Sequence, residues 1–372
     1  MQKRPFGNTG IDVSILGAGG FHLLEISQGD VTAILNRYLD AGGNYIETAA
    51  AYGDGASEKK IGAAIRHRRD EYLLATKTTG REKADALAQL ERSLRLLGTD
   101  HVDVWFLHNI PDIASAERVL APGGAVEAIE EAKRLGMVRF GGITGHGQPV
   151  GLLHALERYP FDAMMTQVNY YDDCSFPAIR RKLIPLAQSR GTAMIAMKAL
   201  GDGYLWRSPE AALRYAWSQP VALAVAGMNT QGMLDADLAA AEQFAPMTAA
   251  DLYQLFHRAP EFRGYACRQC QQCRVKTALP LPRIFELEGW YDRQMWDYRM
   301  QDADSADFAL RMRLAGWFGN AQLAREAFAA EGIAIDPEAD YSELNGQCEY
   351  GLDVNRKLKI AYAKLTGTEP RI

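Results

Sequence analysis

Four side chains that handle protons stand at or just beyond the ends of apolar runs in the first third of the chain. Glu47 closes NYIE, Tyr52 follows in AAAYGDG, Lys77 closes YLLATK and His108 closes HVDVWFLH. An acid, a phenol, an amine and an imidazole at one mouth make a general acid-base site. Lysine is almost never buried without a partner, so a lysine directly after YLLAT is expected to meet an anion, with Glu47 on the neighbouring run as the candidate. A structural ion pair is the competing reading, and any one of these residues alone is more often part of a scaffold.

The elements that position them follow a countable rhythm. From residue 11 to about 244, short β-branched runs alternate with helical-period segments, the pattern of repeated βα units around a parallel sheet. The runs lie at 14 to 17, 44 to 48, 72 to 77, 101 to 108, 138 to 145, 163 to 169, 193 to 199 and 221 to 228. Between them, VTAILNRYLDAG, ADALAQLERSLRLLG and AVEAIEEAKRLG repeat apolar residues every three or four positions and close on Gly. Eight runs predict an α/β fold, a (β/α)8 TIM barrel with its chemistry at the carboxyl ends of the strands. An open doubly wound sheet is the rival, but GAGGFHLL at 17 to 24 does not match its G-x-G-x-x-G turn. The opening KRPFGNTGIDVS reads as a hairpin that plugs the bottom of the barrel.

The barrel domain is expected over 1–257. From 258 to 372 the rhythm gives way to a smaller, mainly helical domain that carries four of the five cysteines. Composition fits a globular protein: 48% hydrophobic, 23% charged, net charge −5. Without a block of Lys and Arg to neutralise a phosphate backbone, nucleic acid is not an expected partner. No run of about 18 apolar residues occurs, so no membrane span is expected, and the protein is read as cytoplasmic. Oligomeric state is not legible.

Over residues 1 to about 245 the sequence resembles an aldo-keto reductase. NYIETAAAYGDGASEKKIG is similar to the family's stretch with its acid and tyrosine, LLATK to its lysine strand, and SLRLLGTDHVDVWFLHNI to its histidine strand. The resemblance implies a catalytic tetrad of Glu47, Tyr52, Lys77 and His108, with glutamate standing where the family normally has aspartate. It implies hydride transfer between a nicotinamide and a small-molecule carbonyl or alcohol. Tyr52 would be the general acid, Lys77 would favour its phenolate, and His108 would orient the substrate oxygen. The longer Glu47 would either reach Lys77 or enter the pocket as an extra acid or base.

The same resemblance assigns cofactor contacts to Thr144 and Gly145, to Gln167, and to Met197 and Lys198. Thr144 and Gln167 would bind the carboxamide, and Met197 would pack on the ring, with a core-filling methionine as the equal alternative. In GMNTQGMLDADL, Gly227, Asn229 and Thr230 would face phosphate. No Lys or Arg occurs from 227 to 238, and Asp235 and Asp237 suit a ribose, so NAD is favoured over NADP. His146 and Cys174 are read as an exposed loop histidine and an inert thiol that could also line the pocket.

Cys267, Cys270 and Cys273 form C-x2-C-x2-C, which sets three thiolates on one tight loop, as a cubic cluster requires. Thr277 stands where the x3-C-P continuation would place a fourth cysteine. CEYGLDVNRKLKIAYAKL is similar to the end of a ferredoxin motif, and the chain resembles aldo-keto reductases with a carboxyl-terminal ferredoxin-like domain. The expectation is one 4Fe-4S cluster on Cys267, Cys270, Cys273 and Cys348, with tetrahedral zinc as the alternative. Two other functions stay open: transient oxidation by bound NAD in a lyase, epimerase or glycoside-cleaving reaction, and a redox-sensing nicotinamide-binding protein. WYDRQMWDYRM and FALRMRLAGWF read as lid or core helices.

Overall fold

The computed structural model describes residues 1–203, 205–262, 266–275, 277–292 and 321–368. Most of WYDRQMWDYRM and all of FALRMRLAGWF lie outside the described residues. The chain divides into two compact units: Met1–Val168 with Ala178–Ala199 and Glu210–Pro246, and Asn169–Pro177 with Leu200–Pro209 and Met247–Ile372.

The first unit opens with a hairpin, β1 (Lys3–Pro5) antiparallel to β2 (Asp12–Ser14). Eight parallel strands follow: β3 (Leu16–Gly19), β4 (Tyr45–Glu47), β5 (Leu73–Thr78), β6 (Val102–Leu107), β7 (Val138–Gly145), β8 (Ala163–Gln167), β9 (Ala193–Met197) and β10 (Leu223–Ala226). They close in the order β10-β3-β4-β5-β6-β7-β8-β9, which rules out the open sheet. Each expected run overlaps one strand, with ends that shift by a few residues: β3 starts and ends two residues later than its run, and β5 runs on to Thr78.

Alternate residues of each strand fill the interior, as in layered barrel cores. Tyr45, Leu73, Ala75, Val104, Phe106, Met165, Ile195 and Val225 form one buried cluster. Phe6 and Val13 of the hairpin join it with no exposed surface, and Asn8 N donates to Gly191 O at 2.9 Å just ahead of β9. Tyr45 and Leu73 open their strands, so the hairpin stoppers the end where the strands begin. The opposite end is left for the site.

The returning helices carry their own stop and start signals. Ser27 caps Gln28–Asp40 by accepting from Asp30 N, and Asp112 caps Ile113–Leu120 by accepting from Ser115 N. Lys83–Leu97 buries Ala86, Leu90, Leu94 and Leu97 on one face and ends at Gly98, whose φ of 68° is a left-handed cap.

In the second unit, helix Ala249–Arg258 starts on a capping box between Thr248 and Asp251. Helices Leu281–Asp292, Ala321–Ala330 and Val354–Thr366 pack on one another around Leu287, Phe328, Leu358 and Ala361. Glu288, fully buried, is paired with Lys357 and Lys364 from the last helix. Among the described residues no helix is long and apolar enough to cross a membrane.

Candidate active site

Parallel strands whose interior faces are apolar must present their polar residues at the carboxyl ends. Glu47 is the last residue of β4, paired in register with Ala75 two positions before Lys77, so the two side chains open on adjacent strands of one mouth. Lys77 and Glu47 form an ion pair, and both are buried. Lys77 Nζ also donates to Thr48 O at 2.9 Å and to the Tyr52 hydroxyl at 3.1 Å, and that hydroxyl donates to Glu47 Oε1 at 3.3 Å. The extra methylene of glutamate is taken up in reaching these two partners, so Glu47 is engaged and does not stand in the pocket as an independent acid.

Tyr52 rides on a tight turn in which Gly53 and Gly55 have φ of 60° and 85°, conformations that favour glycine. Its ring lies under the Lys77 ammonium, 4.6 Å from centroid to Nζ, and meets Phe21 edge-on at 5.2 Å. His108 follows β6, its ring 5.9 Å from that of Tyr52 at 82°. The four residues named from the sequence are therefore gathered in one place.

Burial pushes the Lys77 ammonium well below the ordinary lysine range. Burial first, then the charges of Lys77, Arg81 and Lys198, push His108 down to about 3, so its imidazole is neutral at physiological pH. His108 Nδ1 is buried without a hydrogen-bond partner. A neutral imidazole beside an acidic phenol can donate to a carbonyl oxygen without competing for the proton.

The expected cofactor residues divide into two groups. Thr144 and Gln167 are buried at the ends of β7 and β8, where Thr144 Oγ1 accepts from Asn109 N at 2.9 Å and Gln167 Nε2 donates to Gly147 O at 3.0 Å. Gly145 ends β7, and a Cβ there would lie 2.8 Å from Leu152. Met197 packs against the interior cluster, as the core-filling alternative requires, and Lys198 adopts φ of 56° beyond β9. Gly227 makes room for the His22 ring, which a Cβ would meet at 2.2 Å.

The remaining members of that loop spend their side chains within the protein. Asn229 Nδ2 donates to Glu25 Oε2 at 2.9 Å, and Thr230 caps Gln231–Glu242 by accepting from Met233 N. Asp235, expected near a ribose, is paired with Arg37 at 2.6 Å on the exposed surface. Burial pushes the nearby Asp237 up to about 7.

Two contributors were not singled out from the sequence. Arg81 donates to His108 O at 2.9 Å and Asn109 O at 2.8 Å, fixing the turn that carries the histidine. Glu25 holds Asn229. A charged residue soon after a barrel strand is the signal that could have found Arg81; nothing in spacing marks Glu25. His146, expected as an exposed loop residue, is partly buried with its ring 6.5 Å from His108.

In the second unit, Cys174 is buried, its thiol 3.7 Å from Tyr170 O. Cys267, Cys270, Cys273 and Cys348 are not joined in disulfides, and burial pushes Cys267 up to about 12. Gln269 and Gln271 take φ of 59° and 66°, which coils the triplet tightly, and the turn Gln272–Val275 packs against Ser342–Gln347, next to Cys348. Among the described residues, however, no three Cys, His, Asp or Glu side chains converge as a metal-ligand group.

A closed (β/α)8 barrel with an acid, phenol, amine and imidazole at its carboxyl face defines a class of oxidoreductase. The sequence model of the Aldo/keto reductase family matches residues 15–208, and the chain belongs to that family. The family is one of NAD(P)-dependent oxidoreductases acting on small carbonyl compounds. An uncharacterized oxidoreductase of Bacillus subtilis, YqkF, is 27% identical over 223 residues, 56% of this chain and 68% of that protein. L-galactose dehydrogenase of Arabidopsis thaliana is 29% identical over 55% of this chain and 67% of its own length. Norsolorinic acid reductase of Emericella nidulans is 32% identical over 52% of this chain, which spans 56% of that enzyme. The holo form of an aldo-keto reductase from Bacillus halodurans superposes with a TM-score of 0.60 at 26% identity, over 69% of this chain and 95% of that one.

The depressed His108 has a consequence for stability. An unfolded histidine titrates near ~6.5, so as pH falls the unfolded chain takes up this proton first. The contribution is present above about 6.5 and is lost as pH falls towards about 3. In urea unfolding, His108→Gln should lose less stability than wild type between neutral and mildly acid pH. Parallel pH slopes for the two proteins would contradict this assignment.

Proposed function

We propose that the protein transfers hydride between a nicotinamide and a small-molecule carbonyl or alcohol, with Tyr52 as the general acid and base. The observation that carries this reading is the buried Lys77 Nζ held among Glu47, Tyr52 and Thr48 O. In the reductive direction, the carbonyl carbon accepts hydride while its oxygen takes the Tyr52 proton. Lys77 stabilises the phenolate that remains and, lowered by burial, can return a proton to it. Glu47 fixes Lys77, and neutral His108 orients the substrate oxygen.

Thr144, Gly145, Gln167, Met197 and Lys198 would hold the nicotinamide half, and Gly227, Asn229 and Thr230 the phosphates. The nicotinamide supplies the hydride when bound. NAD is favoured over NADP because the segment 227 to 238 lacks a cation for a 2′-phosphate. Tyr52→Phe removes the proton and keeps the ring, so kcat should fall about 10²- to 10⁴-fold while cofactor binding persists. Unchanged turnover would sink the reading.

We further propose that residues 258–372 form a ferredoxin-like domain in which Cys267, Cys270, Cys273 and Cys348 bind one 4Fe-4S cluster. The spacing of the triplet and the packing of its turn beside Cys348 support this, and no step of the hydride reaction runs through it. Anaerobic analysis of iron, acid-labile sulfide and zinc should give about four iron and four sulfide per chain. About one zinc without sulfide would make the site a tetrahedral clasp instead.

A further inference from the structure

A buried amide that finds no acceptor is rare, because leaving a polar group dry and unpaired is costly. Gln148 is 5% exposed, and its Nε2 has no hydrogen-bond partner. It lies three residues beyond β7, at the carboxyl face where this fold binds its ligands. The segment that carries it is tied across the end of the next strand. Gly147 takes φ of 68°, and its carbonyl accepts from Gln167 Nε2 at 3.0 Å.

Its surroundings narrow the choice of acceptor. Thr144 Oγ1 already accepts from Asn109 N, and one N–H of Gln167 is spent on Gly147. Position 145 cannot contribute a side chain, since a Cβ there would run into Leu152 at 2.8 Å. A flat carboxamide seated between the ends of β7 and β8 offers one carbonyl oxygen that needs donors. Gln167 keeps its second N–H for that oxygen, and Gln148, buried three residues beyond β7, has both of its N–H groups uncommitted.

We propose that Gln148 is a further binding residue for the nicotinamide, its side-chain amide donating to the carboxamide oxygen. The inference rests on the hydride-transfer reading above, and it makes a distinction within the cofactor. Gln148 reads the nicotinamide end and is blind to the adenosine diphosphate end.

The test compares two ligands on wild type and Gln148→Leu: the oxidised dinucleotide that wild type prefers, and the matching ADP-ribose or its 2′-phosphate, which lack the nicotinamide. Calorimetric titration of the full chain should give about five- to tenfold weaker dinucleotide binding in the variant, with ADP-ribose affinity unchanged. Equal dinucleotide affinity in the two proteins would overturn the proposal, as would a parallel loss of both ligands, which would mean the amide merely supports the loop. Should Gln148→Leu misfold, Gln148→Asn provides the second arm. Its shortened amide should weaken dinucleotide binding alone, and an unchanged ratio of the two affinities would again overturn the proposal. A wild type that binds neither dinucleotide would instead remove the hydride-transfer reading itself.

Discussion

Lys77 stands one residue before the end of a strand whose every residue is buried, and a buried ammonium without partners is too costly to persist. Much of the mouth of the barrel follows from that constraint. Glu47 comes from the adjacent strand, Thr48 offers its carbonyl from the turn that follows, and Tyr52 closes the third side. The turn from Thr48 to Gly55 must bend back over the barrel end to deliver the tyrosine, which is why left-handed glycines follow Tyr52 in it. The same charge helps keep the imidazole of His108 neutral.

The barrel could be read from the sequence because each of its strands is a short apolar run bounded by residues a strand does not tolerate, and because the returning helices repeat at a different period. The hairpin was legible from Asn-Thr-Gly set between two short pieces, and Phe6 and Val13 of those pieces join the barrel's buried cluster. The proton-handling residues stood out as polar ends of apolar runs. The pairing of Asp235 with Arg37 was not legible, because the two lie almost two hundred residues apart on separate helices and sequence spacing carries no trace of it. The second carboxylate of that loop, Asp237, is buried on its helix, which local polarity could not reveal.

The carboxyl-terminal unit is governed by different physics. Its helices are held by apolar packing and by Glu288 between two lysines, an arrangement that no short-range pattern announces. Its cysteine loop is the reverse case, where spacing speaks clearly while the thiols themselves do not converge among the described residues. Thiolates repel one another and are poorly solvated when buried, so a ligand set of four closes only around a cation that neutralises it. The burial-raised Cys267 thiol illustrates that cost.

In the proposed reaction Lys77 sets the acidity of the Tyr52 proton. The most direct measurement is the pH dependence of kcat/KM for carbonyl reduction in wild type and Lys77→Met. The basic limb, assigned to the coupled Tyr52 and Lys77 pair, should move up in the variant towards the ordinary phenol value near ~10. A limb at the same pH in both proteins would contradict it.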